Sequence, residues 1–391
     1  MDPRPPDVDV LVVGLGFAGA TVARALADEG WRVHAVERRR HIAGNAFDEL
    51  DAAGVRIHRY GPHAFHTSAP RVVEHLSRFT GWRPYEHRVR AFVRGQLVPF
   101  PINRTTINML TGQSLDQAGA AAWLAAAREP RQPVRNSEDL VLGAVGRELC
   151  ELFYRGYSKK HWDLDLSELA VGVAARIPVR SDDDDRYFDD SFQAMPADGY
   201  TRLFERILSH PRLSFEIGRG LELDDFVISA GAAGGRADAV PGRAPRFRQL
   251  VWTGPIDALF DHAFGRLPYR SVRFEHVHLP DVAWAQPVAQ INYPNDFDYY
   301  RVTELKHMTG QVHPGTSLVR EYPQAAAGEP HYPIPRAENE ALYRRYRERA
   351  EALENVTLVG RLAQYRYYNM DQVVAAALTA AGRINERLRR A

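Results

Sequence analysis

Three glycines near the start of the chain have the spacing of a loop that can hold a pyrophosphate. Gly14, Gly16 and Gly19 lie in the segment GLGFAG, and Glu37 follows about 20 residues later. In such loops the first glycine forms a tight turn, the second lets the backbone approach the pyrophosphate, and the third allows close helix–strand packing. A carboxylate at Glu37 would accept hydrogen bonds from the ribose hydroxyls of an adenosine. The pattern predicts a dinucleotide site, and a purely structural tight turn is the alternative.

The glycine loop alone does not distinguish NAD from FAD. After Glu37 come three arginines at 38–40 and then a turn of small residues, Ala43, Gly44 and Asn45. A basic cluster followed by a second glycine-containing turn is typical of FAD-binding folds. We therefore predict FAD, with a solvated charged loop as the alternative interpretation of the segment.

The elements that must position this loop are predicted from the apolar pattern around it. Residues 8–13 form a β-branched run typical of a buried parallel strand, residues 21–29 have helical spacing, and residues 31–36 indicate a second strand. Together they predict a βαβ unit. The other predicted elements are helices within 115–155, 342–353 and 370–388, strand-like segments at 221–229, 249–252, 271–300, 316–321 and 355–359, and a surface loop at 230–248.

Length and composition exclude several classes of protein. The chain has 391 residues, which predicts two or three domains. Its formal net charge of +1 argues against bulk nucleic-acid binding, which needs a basic excess. The single cysteine, Cys150, excludes an internal disulfide, and residues 8–13 are too short for a signal peptide or membrane span. We expect a cytoplasmic protein with no membrane or nucleic-acid partner and no metal site.

Several separate motifs follow one another along nearly the whole chain. In chain order they are the glycine loop, HRYGPHAFHT (58–67), FYRGYSKKHW (153–162), RIPVR (176–180) with DDRYF (184–188) and the turn at 196–200, TGPID (253–257), YRVTELK (300–306) with HYP (331–333), and GRLAQYRY (360–367). In content and order these motifs resemble those of the UDP-galactopyranose mutase family. A match of all of them, in the family's order, could hardly arise by chance.

The resemblance implies an α/β protein with a Rossmann-like FAD-binding domain, an inserted helical domain and an antiparallel β-sheet domain. It places the FAD-binding domain at 1–80, 195–262 and 345–391, the helical domain at 104–176, and the sheet domain that binds substrate at 81–103, 177–194 and 263–344. Bacterial members are typically homodimers, so a homodimer is expected.

The activity implied by the resemblance is an isomerisation. Family members interconvert the pyranose and furanose forms of a nucleotide sugar, UDP-galactose or a related UDP or dTDP sugar. The flavin must be reduced, because its N5 attacks the anomeric carbon and displaces the nucleoside diphosphate, and the resulting adduct recloses through a different hydroxyl. NAD(P)H or another reductant is therefore an expected partner.

The resemblance also implies which residues bind the substrate. A guanidinium can donate two parallel hydrogen bonds to phosphate oxygens, and Arg176 and Arg301 match the family's phosphate-binding arginines. For either one, the alternative is a surface salt bridge. The residues matched to the sugar and the base are Phe153, Tyr154, Tyr157, Trp162, Tyr187, Tyr332, Tyr367 and His87.

The cofactor residues follow in the same way. His63 lies in a Gly-Pro-His turn that contacts the isoalloxazine in the family, where a backbone carbonyl takes the new N5–H on reduction. Arg361 matches an arginine near the flavin, with a helix-capping cation as the alternative. The matched positions are Gly14, Gly16, Phe17, Ala18, Gly19, Glu37, Arg38, Gly44, Asn45, Tyr60, Gly61, His63, Arg361 and Met370.

Some residues depart from the family pattern, mainly around the sugar and the flavin edge. Ala43 replaces a glycine, Leu305 a histidine, Asn369 an aspartate, and His87 stands where well-known members carry asparagine. These departures leave the identity of the sugar undecided, and a 6-deoxyhexose or a pentose stays possible. Two other classes also stay open: an amine-oxidase-type flavin oxidoreductase, and a non-catalytic protein that binds FAD or a nucleotide sugar.

Overall fold

The structure is a computed structural model that describes residues 6–175, 177–229, 235–325 and 328–390. Its strands are β1 (Val10–Val13), β2 (Val33–Glu37), β3 (Asp48–Leu50), β4 (Arg56–His58), β5 (Phe65–Thr67), β6 (Trp82–Pro84), β7 (Val89–Val93), β8 (Gln96–Phe100), β9 (Phe192–Pro196), β10 (Leu213–Ile217), β11 (Phe226–Ser229), β12 (Arg236–Ala239), β13 (Gln249–Trp252), β14 (Tyr269–Leu279), β15 (Gln290–Asn292), β16 (Arg301–Glu304), β17 (Thr316–Gln324), β18 (Tyr332–Pro333) and β19 (Val356–Leu358).

The helices are α1 (Phe17–Asp28), α2 (Pro70–Ser77), α3 (Arg104–Thr111), α4 (Gln117–Ala127), α5 (Ser137–Cys150), α6 (Gly156–Trp162), α7 (Tyr200–Leu208), α8 (Leu305–Thr309), α9 (Ala337–Glu351) and α10 (Met370–Arg390). A π-helical turn, Glu151–Arg155, joins α5 to α6. None of the helices among the described residues is both long and apolar enough to cross a membrane.

A five-stranded parallel sheet carries the predicted βαβ unit. Its strand order is β10-β2-β1-β13-β19, and every neighbouring pair is parallel. β1 is buried along its whole length, as expected for a central parallel strand. Helices α1, α7 and α10 pack on one face, and α9 with the β11–β12 hairpin packs on the other. The predicted α/β class and Rossmann-like unit are confirmed.

A seven-stranded sheet forms a second layer, in the order β18-β14-β17-β16-β15-β7-β8. All neighbouring pairs in it are antiparallel except β7 with β15, which is parallel. The long segment between β7 and β15 provides the crossover connection that a parallel pair needs. The register of β16 on β17 places Arg301 opposite Glu321. This pairing fixes the position of the predicted phosphate-binding arginine.

The helices α4 and α5 pack against the β7–β8 end of this sheet. Val89, Val98 and Phe100 share an apolar core with Val141 and Leu149. The π-helical turn and α6 continue from α5 and carry Phe153, Tyr154 and Trp162 into the same core. These aromatic residues are therefore held on helical backbone beside the sheet.

Two of the predicted segments differ in detail from the structure. The segment 230–248, predicted as a surface loop, contains the strand β12, which pairs with β11, while residues 230–234 lie outside the described residues. The strand-like pattern at 271–300 corresponds to two strands, β14 and β15, with a loop between them. In that loop the backbone N–H groups of Ala285 and Gln286 bond the Glu304 carboxylate instead of a neighbouring strand.

Candidate active site

A cavity of about 770 Å³ opens at the carboxyl end of β1. The two glycine turns, the end of β2 and the start of α1 form one wall, and Trp252 and Thr253 after β13 form another. Crevices at this edge of a parallel sheet are where Rossmann-like folds bind nucleotides. Eleven of the predicted cofactor residues line it: Gly14, Gly16, Phe17, Ala18, Glu37, Arg38, Gly44, Asn45, His63, Arg361 and Met370.

The glycines of this wall leave no room for side chains at three positions. A Cβ on Gly14, whose φ is +98°, would lie 2.1 Å from Thr253 Oγ1, and one on Gly19 would lie 1.8 Å from the Gly14 carbonyl oxygen. A Cβ on Gly44 would lie 2.8 Å from Gly16 Cα. Gly19 is therefore a packing residue behind the loop, and the two glycine turns face each other across a narrow gap.

Gly16 differs, because a Cβ there would meet its nearest neighbour only at 3.8 Å. Its backbone angles, φ −78° and ψ −172°, suit any residue. Gly16 precedes α1, and no side chain among the described residues caps that helix. The first N–H groups of α1 therefore face the cavity, which suits phosphate.

Glu37 is held by the loop that it faces. One of its carboxylate oxygens accepts the Leu15 N–H at 2.9 Å, and the other accepts the Arg39 N–H at 3.0 Å. Glu37 is buried, and each oxygen still has a lone pair for a ribose hydroxyl. Its position at the end of β2 is the one predicted for an adenosine-binding carboxylate.

A second cavity of about 190 Å³ lies between the seven-stranded sheet, α6 and the turn at 60–63. It is lined by every described residue that the resemblance assigned to the substrate: Phe153, Tyr154, Tyr157, Trp162, Tyr187, Tyr332, Tyr367, His87 and Arg301. Arg176 lies outside the described residues, and its role stays a prediction.

The two cavities meet. His63, Arg361 and Met370 line both of them. Tyr60 and Gly61, which were predicted to bind the cofactor, line the second cavity and not the first. The Arg361 guanidinium lies 5.1 Å and 5.4 Å from the ring centroids of Tyr332 and Tyr367, so the junction has a cation beside two aromatic rings.

Arg301 is anchored by Glu321. Its Nη2 lies 2.6 Å from Glu321 Oε2, and the Tyr300 hydroxyl donates to the same oxygen at 2.8 Å. Burial would lower the pKa of Arg301, but the Glu321 carboxylate outweighs it and raises that pKa well above its ordinary value. Arg301 Nε has no hydrogen-bond partner among the described residues, so it can donate to a ligand.

Two histidines that line the site, His63 and His87, are neutral near pH 7. Burial lowers the pKa of His63 to about 3, with His58 adding to the effect. Burial likewise lowers the pKa of His87 to about 3, and its Nδ1 lies 2.8 Å from the Tyr85 hydroxyl. Neither imidazole adds positive charge to the site near neutral pH.

Several lining residues were not among the predicted site residues. The Arg39 guanidinium hydrogen-bonds both Asn45 and Glu329 and lies over the Tyr60 ring. Other residues of this kind that line the first cavity are Arg219, Thr253 and His331. Asn369 and Phe188 line the second. Arg39 and Thr253 lie within motifs noted in the sequence, but Glu329 carries no sequence signal, because a chain separation of 290 residues divides it from Arg39.

Comparison with known families agrees with this arrangement. A family model described as UDP-galactopyranose mutase matches residues 152–367, more than half of the chain, and one for an NAD(P)-binding Rossmann-like domain matches residues 12–79. The chain is 35% identical over 381 residues to a probable UDP-galactopyranose mutase of Klebsiella pneumoniae, covering 95% of this chain and 94% of that protein. The chain belongs to the UDP-galactopyranose mutase family. It is an isomerase of a flavin-dependent mutase family that interconverts ring forms of a nucleotide sugar.

Another relative is named for a different substrate. The chain is 33% identical over 380 residues to a dTDP-fucopyranose mutase of Escherichia coli, covering 95% of this chain and 97% of that protein. The two identities are nearly equal, so overall similarity does not choose between a UDP and a dTDP sugar.

Solved structures agree on the fold. A reduced UDP-galactopyranose mutase superposes with a TM-score of 0.74 at 17% identity, covering 97% of this chain and 99% of that one. A cyclohexylamine oxidase from Brevibacterium oxydans gives a TM-score of 0.61 at 16% identity, covering 98% of this chain and 100% of that one. This oxidase thus shares the fold.

Proposed function

We propose that this protein binds FAD in the first cavity and interconverts the pyranose and furanose forms of a UDP or dTDP sugar in the second. The observation that carries the proposal is the junction at His63, Arg361 and Met370. A cofactor whose nucleotide end lies on the glycine turns can bring its ring system to a pocket built for a sugar diphosphate.

The residues of the first cavity fit FAD. The close approach of the Gly16 and Gly44 backbones suits a pyrophosphate, and Glu37 is placed for the adenosine ribose. The cavity volume, about 770 Å³, is in the range of cofactor sites. The shared residues, His63 and Met370, would contact the isoalloxazine. When bound and reduced, the flavin supplies a nucleophilic N5 for the anomeric carbon.

Arg301 would hold the substrate diphosphate. Glu321 and Tyr300 fix one side of its guanidinium, so its remaining N–H groups already have a fixed direction. Binding a ligand therefore costs little additional side-chain entropy. A fixed cation stabilises the negative charge that develops on a departing nucleoside diphosphate. It also keeps that group close for the return step. We assign the same task to Arg176 from the resemblance alone.

The aromatic side chains would exclude water and orient the sugar. Tyr332 and Tyr367 are stacked with ring centroids 5.5 Å apart, and Trp162 meets both rings edge-on at 6.2 Å and 5.9 Å. Each tyrosine offers one hydroxyl beside an apolar ring face. Phe153 and Tyr154 line the same cavity and would stack on a pyrimidine base.

The finer features of the proposal rest on the family resemblance. We propose a cytoplasmic homodimer, reduced by NAD(P)H or another reductant, with the three-domain division given above. The relatives named for UDP-galactopyranose and dTDP-fucopyranose support testing both nucleotides and both a hexose and a 6-deoxyhexose.

The direct test is a chromatographic assay of the purified protein after reduction with dithionite. The enzyme receives UDP-galactopyranose, dTDP-fucopyranose and UDP-arabinopyranose in separate reactions. Conversion of at least one to an isomer with a furanose ring supports the proposal. A reduced, flavin-loaded enzyme that isomerises none of the panel contradicts it.

A further inference from the structure

A histidine–carboxylate pair lies at the wall of the second cavity, outside the predicted substrate and cofactor residues. His66 Nδ1 lies 2.6 Å from Asp190 Oδ2, and the Ser68 hydroxyl donates to the other carboxylate oxygen at 2.9 Å. His66 lines the second cavity, and its side chain is 10% exposed. The pair is a titratable group beside the sugar site, and it has no role in the steps described above.

The fold holds the His66 ring against the second cavity. Its neighbour in β5, Phe65, packs in the apolar core of the FAD-binding domain, and successive side chains of a strand point to opposite faces. The His66 ring stacks on Phe188, with centroids 3.5 Å apart and planes 12° from parallel. In the pairing of β5 with β9, His66 lies opposite Gln193, whose side-chain amide donates to the Asp190 carbonyl at 3.1 Å. Both members of the pair are therefore fixed from within the protein.

The carboxylate determines which ring nitrogen carries the proton. A carboxylate only accepts hydrogen bonds, so His66 Nδ1 carries the N–H that Asp190 accepts. Nε2 is then the nitrogen that is left to exchange a proton with a ligand. When Nε2 is also protonated, the positive ring remains paired with the Asp190 carboxylate. A carboxylate in this position orients a histidine for general acid–base catalysis in hydrolases.

Two other histidines of the same cavity lack this arrangement. Burial lowers the pKa of His63 to about 3 and that of His87 to about 3, so both rings stay neutral near pH 7. His63 Nδ1 bonds the Gly61 carbonyl oxygen, and His87 Nδ1 bonds the Tyr85 hydroxyl. Of these three histidines, His66 is the one that is paired with a carboxylate.

The exchange of ring forms itself needs a proton carrier. In the pyranose the ring closes through O5 and O4 carries a hydrogen, whereas in the furanose the ring closes through O4 and O5 carries a hydrogen. The C1–O5 bond breaks and the C1–O4 bond forms. One proton must therefore reach O5 and one must leave O4, while no electrons are gained or lost.

We propose that His66 is the proton carrier of the ring exchange and that Asp190 is its positioning residue. The inference rests on the proposed function, because it assumes a nucleotide sugar in the second cavity. The protonated ring gives its Nε2 proton to O5 as the C1–O5 bond breaks. The neutral ring then takes the O4 proton as the C1–O4 bond forms, which returns His66 to its starting form. The reverse reaction uses the same two transfers with the two oxygens exchanged.

The test separates departure of the nucleoside diphosphate from ring exchange. A pyranose substrate that the wild type converts is labelled with a heavy isotope of oxygen in the bridge between C1 and the diphosphate. When the diphosphate leaves and returns, rotation of its terminal phosphate moves the label to non-bridging positions, which phosphorus NMR detects without any change of ring form. Flavin-loaded enzyme reduced with dithionite is followed for label movement in the recovered pyranose and for furanose formation by chromatography.

Three variants are compared with the wild type. His66→Asn keeps a donor for Asp190, since the amide nitrogen occupies the place of Nδ1, but the amide cannot carry a proton near neutral pH. Asp190→Asn leaves the ring in place and removes the acceptor that keeps the proton on Nδ1. His278→Phe is the matched control, because His278 also lies beside a carboxylate, 3.8 Å from Asp51, but lines neither cavity.

We expect His66→Asn to move the label at nearly the wild-type rate. The same variant should form furanose at least about 100-fold more slowly, as expected for the loss of a general acid–base group. Asp190→Asn should show the same split between the two rates, because its ring no longer has Nε2 in the correct protonation state. His278→Phe should match the wild type in both rates.

The outcomes separate this inference from the proposed function. A flavin-loaded, reduced wild type that neither moves the label nor forms a furanose contradicts the proposed function. If His66→Asn forms furanose at the wild-type rate, the inference is wrong while the proposed function stands. Loss of label movement and furanose formation in equal proportion would also overturn it, because the effect would then lie on binding or on departure of the diphosphate. Should His66→Asn fail to fold, Asp190→Asn decides the question by the same two rates.

Discussion

Arg301 and Glu321 face each other on β16 and β17, with Nη2 and Oε2 2.6 Å apart. The carboxylate is 1% exposed, while the guanidinium is 18% exposed at the wall of the second cavity. A buried ion pair costs desolvation and is weak evidence for stability in itself. The ion pair is better explained by its effect on Arg301, because Glu321 holds the guanidinium in a fixed orientation towards a ligand.

Replacing Arg301 should abolish most turnover without releasing the cofactor. Each charge-assisted hydrogen bond is worth about 1.5–3 kcal/mol, so the loss of two in Arg301→Ala should lower kcat/KM at least 100-fold or so. Arg301→Lys should also be impaired, because an ammonium cannot donate in the same bidentate geometry. Arg320→Ala, on the neighbouring strand and paired with Glu275, is the matched control. Wild-type kcat/KM in Arg301→Ala would remove Arg301 from the mechanism.

The same substitution should destabilise the fold. Arg301→Ala leaves the Glu321 carboxylate buried, with the Tyr300 hydroxyl as its remaining side-chain partner among the described residues. Breaking a buried ion pair by removing one partner typically costs about 3–5 kcal/mol. Denaturant unfolding measures this loss. Arg301→Ala/Glu321→Gln should recover part of the stability but none of the turnover, and recovery of turnover would contradict a role in binding the diphosphate.

Gly16→Ala should give a folded protein without its cofactor. The structure has room for the added Cβ, whose nearest neighbour is 3.8 Å away, and the backbone angles at Gly16 suit alanine. The methyl group would occupy the gap through which the backbone approaches a pyrophosphate. Gly382→Ala, in α10 with open space around it, is the control. Flavin content is read from absorbance, and a yellow Gly16→Ala protein with full flavin would contradict this placement of the site.

Acidification should destabilise the protein through its buried neutral histidines. His75 is one that lies away from both cavities, and burial lowers its pKa to about 4. The unfolded chain binds a proton near pH 6.5 and the folded chain does not, so stability falls as the pH drops from about 6.5 to about 4. His75→Leu should reduce the difference in unfolding free energy between pH 7 and pH 5 by about 1–2 kcal/mol. Equal differences in His75→Leu and the wild type would contradict the shifted pKa.

Much of the local chemistry of the site could be predicted from the sequence. Gly14, Gly16, Glu37 and the tyrosines assigned to the substrate all line the two cavities, and each could be predicted from its own short stretch of chain. Gly14 and Gly19 could be assigned their backbone roles because a positive φ and a close helix–strand contact leave a direct trace in residue type.

The partners that hold these residues could not be predicted. Glu321 faces Arg301 only through the strand register, and Tyr200 reaches His63 only after α7 has packed in place. Tyr200 lies 137 residues from His63 in the chain, and such a separation leaves no periodic pattern in the sequence. Long-range hydrogen bonds of this kind are visible only in the folded chain.

The central claim is an isomerisation without net redox change, and one measurement tests it most directly. Dithionite-reduced enzyme is supplied in separate reactions with the pyranose and the furanose form of the same nucleotide sugar, and both are followed by chromatography and proton NMR. The account predicts that both reactions reach one common mixture of the two ring forms, that oxidised enzyme changes neither, and that the flavin stays reduced throughout. Oxidation of the sugar with matching electron transfer to the flavin, or two mixtures that never converge, would contradict it.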